Sequence, residues 1–258
     1  MARQVVVTGA ASGIGAATAA MLTAQGDEVI SVDQRDADVV ADLSTRSGRE
    51  QAVAALLERT GGGVDAVVAC AGTSSLSPLD VKVNFFGVVE LVNGLRPALA
   101  KAPAPRVSVT ASISSTQKTD PDVVSACLDL DEERAVALAE KVHADGRGNI
   151  LYASSKNALA RWLRRTAITD DWAGAGIALN AVGPGVVVTP MTEGLRASEQ
   201  GVEMINKAVP SRFGGWMGPE VIADALVWLV RPENTHTTAQ LIFVDGGAEA
   251  VVRGEEAF

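Results

Sequence analysis

Short runs of β-branched and other apolar residues alternate along the chain with longer stretches in which apolar positions return every three or four residues. That alternation predicts strands separated by amphipathic helices, the pattern of a parallel sheet covered on both faces. Strands are expected at Gln4–Thr8, Glu28–Asp33, Val39–Asp42, Asp65–Cys70, Arg106–Ser112, Ile177–Val182 and Gln240–Val244, with helices beginning near Gly13, Ser47, Val81, Tyr152 and Pro219. Turn chemistry marks several ends. Gly26 closes the first helix, Gly174 and Gly176 precede the sixth strand, and Pro219 with Glu220 suits a first helical turn. The expected fold class is α/β, a doubly wound parallel sheet of about seven strands.

Residues 113–151 are more than a strand-to-helix connection needs, so they read as a helical insertion. Asp120-Pro121 suits an N-cap and first helical residue, followed by Val123, Val124, Cys127 and Leu128 at helical spacing. A second helix is expected after Asp131, with Val136, Ala139 and Val142 on one stripe and a stop at Gly146. Such a stripe suits a lid, a subunit contact or local core alike.

With 258 residues and 47% hydrophobic content, one substantial core accounts for the whole chain, 1–258, as a single domain. A net charge of −9 argues against a nucleic-acid or anionic membrane partner, and the Arg161–Arg165 cluster reads as a solvated helix face. Cys70 and Cys127 are too few for a disulfide framework and no apolar leader opens the sequence, which together point to a cytoplasmic setting. His143 and His236 have no metal-ligand spacing, so no metal is expected. The longest apolar stretches fall short of a membrane span.

The first strand runs into Thr8-Gly9-Ala10-Ala11-Ser12-Gly13-Ile14-Gly15 and then an Ala-rich helix. Glycines there permit a sharp turn (Gly9), close approach of backbone to phosphate (Gly13) and tight helix–strand packing (Gly15). With Ser12 and Ile14, they present helix N-terminal N–H groups to a dinucleotide pyrophosphate. Asp33, at the end of the second strand, is placed for an adenosine ribose; its charge favours NAD over NADP, against which the neighbouring Gln34-Arg35 weighs slightly. Asp42 and Leu43 are candidates for the adenine end. Tyr152, the chain's one tyrosine, precedes Lys156 by one helical turn, so a phenol and an ammonium share a face. A neighbouring cation favours the phenolate and would bring its pKa toward the working range.

These motifs, in this order, resemble the short-chain dehydrogenase/reductase family over nearly the whole chain. Cys70-Ala71-Gly72 stands where that family usually has Asn-Ala-Gly, and Pro184-Gly185, Val187 and Thr189 match its nicotinamide-side loop. Within the family the chain most resembles the bacterial hydroxysteroid dehydrogenase/carbonyl reductase type, which also carries a helical insertion and shares Asp42-Leu43-Ser44-Thr45 and Val83-Asn84-Phe85-Phe86-Gly87. The resemblance implies a single Rossmann-type domain that binds NAD through Gly9, Ser12, Gly13, Ile14, Gly15, Asp33, Asp42, Leu43, Ala71, Gly72, Tyr152, Lys156, Pro184, Gly185, Val187 and Thr189. It also implies catalysis by Ser112, Tyr152, Lys156 and Asn84. Tyr152 would exchange the proton, Lys156 would hold the ribose and the phenolate, Ser112 would polarise the substrate oxygen, and the Asn84 carbonyl would help hold a water. Ser114 is second choice for the serine, with Ser115 and Thr110 also open.

Residues 190–218 form an expected substrate loop in which Met191, Leu195, Met204, Phe213 and Trp216, with Ser114, are candidate pocket lining for a bulky apolar alcohol or ketone. The function expected is an NAD-dependent oxidoreductase on a steroid, terpenoid or aromatic alcohol. An NADPH-dependent carbonyl reductase and a non-catalytic dinucleotide-binding regulator are the alternatives. Because the insertion stands beside the family's usual helix-pairing surface, a homodimer through the last helix and strand is expected.

Overall fold

A strand that is apolar at every position has no face to give to water, and Val5, Val6, Val7, Ala66, Val67 and Val68 are all completely buried. The computed structural model, which describes residues 2–257, satisfies this with one parallel sheet. Its strands are β1 (Gln4–Thr8), β2 (Glu28–Asp33), β3 (Val39–Val40), β4 (Ala66–Ala69), β5 (Arg106–Thr110), β6 (Ala178–Pro184) and β7 (Leu241–Val244). They lie in the order β3-β2-β1-β4-β5-β6-β7. The order reverses direction between β1, which pairs Val5 with Val29 of β2, and β4, where Val5 faces Ala66. Ligands of open α/β sheets bind at such a switch point, beyond the carboxyl ends of the strands.

The helices are α1 (Gly13–Ala24), α2 (Arg46–Arg59), α3 (Leu79–Val81), α4 (Val88–Leu99), α5 (Pro121–Leu128), α6 (Glu132–Ala144), α7 (Leu151–Thr166), α8 (Pro190–Arg196), α9 (Glu199–Ala208), α10 (Pro219–Val230) and α11 (Ala248–Arg253). On one face, Val5, Val7 and Val68 pack with Leu22 of α1 and Ile222, Leu226 and Val230 of α10. On the other, Val6, Val67 and Val107 pack with Leu56, Leu91, Leu95 and Leu159 from α2, α4 and α7. Among the described residues no helix is long and apolar enough to cross a membrane.

The insertion forms two helices, and its caps follow the sequence: Asp120 accepts from Asp122 N and Val123 N, and Asp131 accepts from Arg134 N. Its buried stripe on α6 is Ala135, Ala139 and Val142, while Val136 is only half-buried. The expected stripe had the right helix turned slightly too far, because Ala135 is too small to announce itself as a core residue. Val123, Val124, Cys127, Ala139 and Val142 all join the core cluster of the α7 face, so the stripe is core. β3 ends at Val40 and leaves Asp42 in a turn; β5 ends at Thr110 and leaves Ser112 outside the strand. Between α3 and α4 the backbone forms a π turn, Lys82–Gly87, which the periodicity of the sequence did not indicate.

Candidate active site

The turn between β1 and α1 needs glycine for measurable reasons. Gly9 has φ +69°, and a Cβ there would lie 2.8 Å from Ala71 N; a Cβ on Gly15 would lie 2.1 Å from Gly9 O. Ala71 N donates to Thr8 Oγ1 at 3.0 Å, so the loop after β4 is fastened against this turn. Ser12 makes no side-chain cap bond to α1, leaving the helix N-terminus to an outside anion. Asp33 accepts from Ala11 N at 3.0 Å and from Gln34 N at 2.7 Å, which fixes its carboxylate beside the turn.

One cleft of ≈ 410 Å³ runs across the strand ends. It brings together Gly9, Ser12, Gly13, Ile14 and Gly15 with Asp33 and Leu43 at one end; Ala71, Gly72, Ser112, Tyr152 and Lys156 lie at its middle, and Pro184, Gly185, Val187, Thr189 and Met191 complete it. Asp42 is not part of that wall. Its Oδ1 accepts from Ser44 N at 2.9 Å and from Gln34 Nε2 at 3.4 Å, and the bonds from Ser44 hold its carboxyl below the usual range. Asp42 is thus a turn former, because β3 stops two residues before it.

Most of the expected substrate lining stands elsewhere. Phe213 is 84% exposed, Met204 and Leu195 are exposed, and Trp216 donates from Nε1 to Asn206 Oδ1 at 2.7 Å. The apolar residues of 190–218 are shared out over two short surface helices and a glycine-flanked loop, and of the five expected there only Met191 lines the cleft. Ser114 is also outside it; its N–H donates to Ser112 Oγ at 3.0 Å.

Ser112 lies at the exit of β5, held by the Ala111 N–H bond to Val182 O at 2.8 Å. Burial raises the pKa of the Tyr152 phenol above its ordinary value, the Ser112 side chain offsets part of that rise, and the Asp80 charge adds to it. Lys156 is buried, donates from Nζ to Thr110 O at 2.7 Å, and stands 6.0 Å from the Tyr152 ring centre. Burial pulls its ammonium down to about 8, against smaller upward pulls from Cys70 and Asp80. The expected mutual help of the two groups is therefore overshadowed by desolvation of both. Cys70 is pushed up to about 11 by burial.

Asn84 lies in the π turn rather than in the cleft. Its Oδ1 accepts from Thr73 N at 2.8 Å and its Nδ2 donates to Thr73 O at 2.9 Å and Ser155 Oγ at 3.1 Å, joining a cleft-lining loop to the helix of Tyr152. π turns interrupt the ordinary helical ladder and recur at functional sites. Two contributions escaped the sequence reading. Asp80 is completely buried and accepts from Ser75 N, Ser75 Oγ and Leu76 N at 2.7, 2.9 and 3.0 Å, shaping the wall beside Leu79. Thr110 acts through its main-chain carbonyl, which no sequence pattern reports.

Two family models match: short chain dehydrogenase over residues 3–124 and Enoyl-(Acyl carrier protein) reductase over residues 134–249. The 3-alpha-hydroxysteroid dehydrogenase/carbonyl reductase of Comamonas testosteroni is 38% identical, over 96% of this chain and 97% of that protein. The chain belongs to the short-chain dehydrogenase/reductase family. As such it is a dehydrogenase/reductase of hydroxyl and carbonyl groups. The solved 3-alpha-hydroxysteroid dehydrogenase of Pseudomonas sp. B-0831, complexed with NADH, matches it with a TM-score of 0.89 at 40% identity, covering 98% of this chain and 99% of that one. Cis-4-hydroxycyclohexanecarboxylate dehydrogenase of Sinomonas cyclohexanicum is 31% identical over 96% of this chain and 97% of that protein. The short-chain dehydrogenase/reductase fold binds a nicotinamide dinucleotide. The cleft here fits one: a glycine cradle that Cβ atoms would fill, an uncapped helix N-terminus and a carboxylate fixed beside them.

Proposed function

We propose that this chain is an NAD-dependent oxidoreductase acting reversibly on a secondary alcohol or ketone of an apolar, cyclic compound of the steroid, terpenoid or aromatic kind. One arrangement supports the reading above others: Ser112, Tyr152 and Lys156 meet in the middle of a cleft whose far end carries the glycine turn and Asp33. Gly9, Ser12, Gly13, Ile14 and Gly15 would hold the pyrophosphate and Asp33 the adenosine ribose, with Ala71, Gly72, Pro184, Gly185, Val187 and Thr189 along the remainder. The dinucleotide supplies the hydride acceptor or donor. Ser112 holds the substrate oxygen and Tyr152 Oη takes the alcohol proton, or returns it in reduction. Lys156, kept in place by Thr110 O, provides the positive charge that lowers the barrier to forming the phenolate. Asp33 favours NAD because a second anion, the 2′-phosphate of NADP, would meet its carboxylate. The similarity to a hydroxysteroid dehydrogenase and a hydroxycyclohexanecarboxylate dehydrogenase supports a cyclic substrate. The exposed Val221 and Trp228 on α10 support a homodimer through that helix and β7.

The test is NADH formation from a panel of steroid, terpenoid and aryl secondary alcohols, with NAD+ and NADP+ in parallel and Asp33→Ala beside the unmodified enzyme. NAD-linked turnover, with the preference relaxed in the variant, is expected. A preference for NADP+ in the unmodified enzyme would instead identify an NADPH-dependent carbonyl reductase. Tight NAD+ binding without turnover on any alcohol would favour a dinucleotide-binding regulator.

A further inference from the structure

Arg49, on α2, is 1% exposed yet carries a full charge's worth of partners. Its Nε donates to Glu90 Oε2 at 2.6 Å, its Nη2 to Glu132 Oε2 at 2.5 Å and its Nη1 to Leu43 O at 3.2 Å. The three acceptors come from three separate places. Glu90 lies in the first turn of α4, Glu132 in the first turn of the inserted α6, and Leu43 in the wall of the cleft beside Asp33 and Ala41. A planar guanidinium fixes the directions of its N–H groups, so one side chain sets the relative positions of all three. Arg46 also approaches Glu132, at 3.8 Å, from an exposed position.

Leu43 has little freedom on its other sides. A Cβ on Gly87, in the π turn, would lie 3.1 Å from Leu43 O, and one on Gly48 would lie 2.0 Å from Asp42 O. The segment is thus seated between two glycines, and the polar bond from its carbonyl to Arg49 fixes how far it projects into the cleft. Burying a guanidinium against two part-exposed carboxylates is a costly way to gain stability alone, and a fixed arrangement is the better-attested use of such groups.

We propose that Arg49 is a positioning residue for the adenosine end of the dinucleotide, and that Glu132 makes the insertion part of that wall. This rests on the dinucleotide reading of the cleft given above. It assigns the insertion to cofactor affinity, where its position ahead of Tyr152 points first to the substrate side.

Glu132→Gln keeps an acceptor oxygen at that site but removes the charge, and Arg49→Lys keeps the charge but cannot reach three acceptors. The dissociation constant for NAD+, by titration calorimetry, is expected to rise about three- to tenfold in Glu132→Gln and further in Arg49→Lys, the scale on which residues off a ligand alter its binding. Turnover at saturating NAD+ should fall by less than that factor. Should Arg49→Lys not fold, Glu132→Gln alone decides. A lowered melting temperature with NAD+ affinity unchanged in the variants would make the cluster purely structural and overturn the proposal. Failure of NAD+ to bind the unmodified protein would overturn the underlying dinucleotide reading instead.

Discussion

Tyr152 and Lys156 are both driven toward neutrality by burial, and Asp80 acts on each in a definite direction. Its negative charge raises the pKa of the phenol and that of the ammonium. In ketone reduction the enzyme needs Tyr152 protonated and Lys156 charged, so activity should fall as pH rises through about 8, where Lys156 loses its proton. Asp80→Asn removes the charge that supports both protonated forms. Its alkaline limb is therefore expected at lower pH than that of the unmodified enzyme; pH profiles of kcat/KM for reduction measure this, and a limb that stays in place would refute the electrostatic role. Tyr152→Phe should lower kcat by about 10²- to 10⁴-fold, the usual contribution of a positioned acid–base group, with NAD+ affinity retained. Equal turnover in the variant would remove Tyr152 from the chemistry.

Elements show which physical signals a sequence carries. Gly9 and Gly15 were legible because backbone atoms leave no room for a Cβ there, Gly13 because its φ of +54° favours glycine, and the caps Asp120 and Asp131 because a side chain that bonds backbone N–H groups must be short and polar. β1 and β2 have the predicted ends because apolar runs meet polar turns abruptly. The π turn at Lys82–Gly87 had no such signature: apolar periodicity does not tell it from a helix, and the bonds of Asn84 within it go to Thr73 and Ser155, which are distant in sequence. The misplaced substrate lining has a similar cause, since Leu195, Met204 and Phe213 are apolar side chains that the chain leaves at its surface. The capping claim is directly testable. Asp120 caps α5, bonds Arg147 across the insertion, and receives its own position through its N–H bond to Ser154 Oγ on the catalytic helix. Asp120→Ala should destabilise the protein by about 1 kcal/mol, chiefly through the lost cap, visible as a lower midpoint in urea unfolding.

For the molecule as a whole, the buried ammonium of Lys156 sets activity against stability. The unfolded chain carries this lysine near its ordinary value of 10.5, while burial lowers it to about 8 in the folded protein. Below about 8 the folded state holds an unfavourably desolvated charge, and between about 8 and 10.5 the unfolded chain binds a proton that the folded one does not. Stability from this group therefore rises with pH across that window, by an amount on the order of 2–4 kcal/mol for a shift of this size. Lys156→Met removes the charge and with it the pH dependence, although it leaves Thr110 O short of one donor, a loss of about 1 kcal/mol. Chemical unfolding of the two proteins at neutral pH should find the inactive variant the more stable, with the difference shrinking toward alkaline pH as the unmodified enzyme is relieved of its buried charge. A stability difference that does not change with pH would mean that Lys156 titrates alike in the folded and unfolded chains, so that burial does not lower its pKa. The fall in reduction through about pH 8 would then belong to another group.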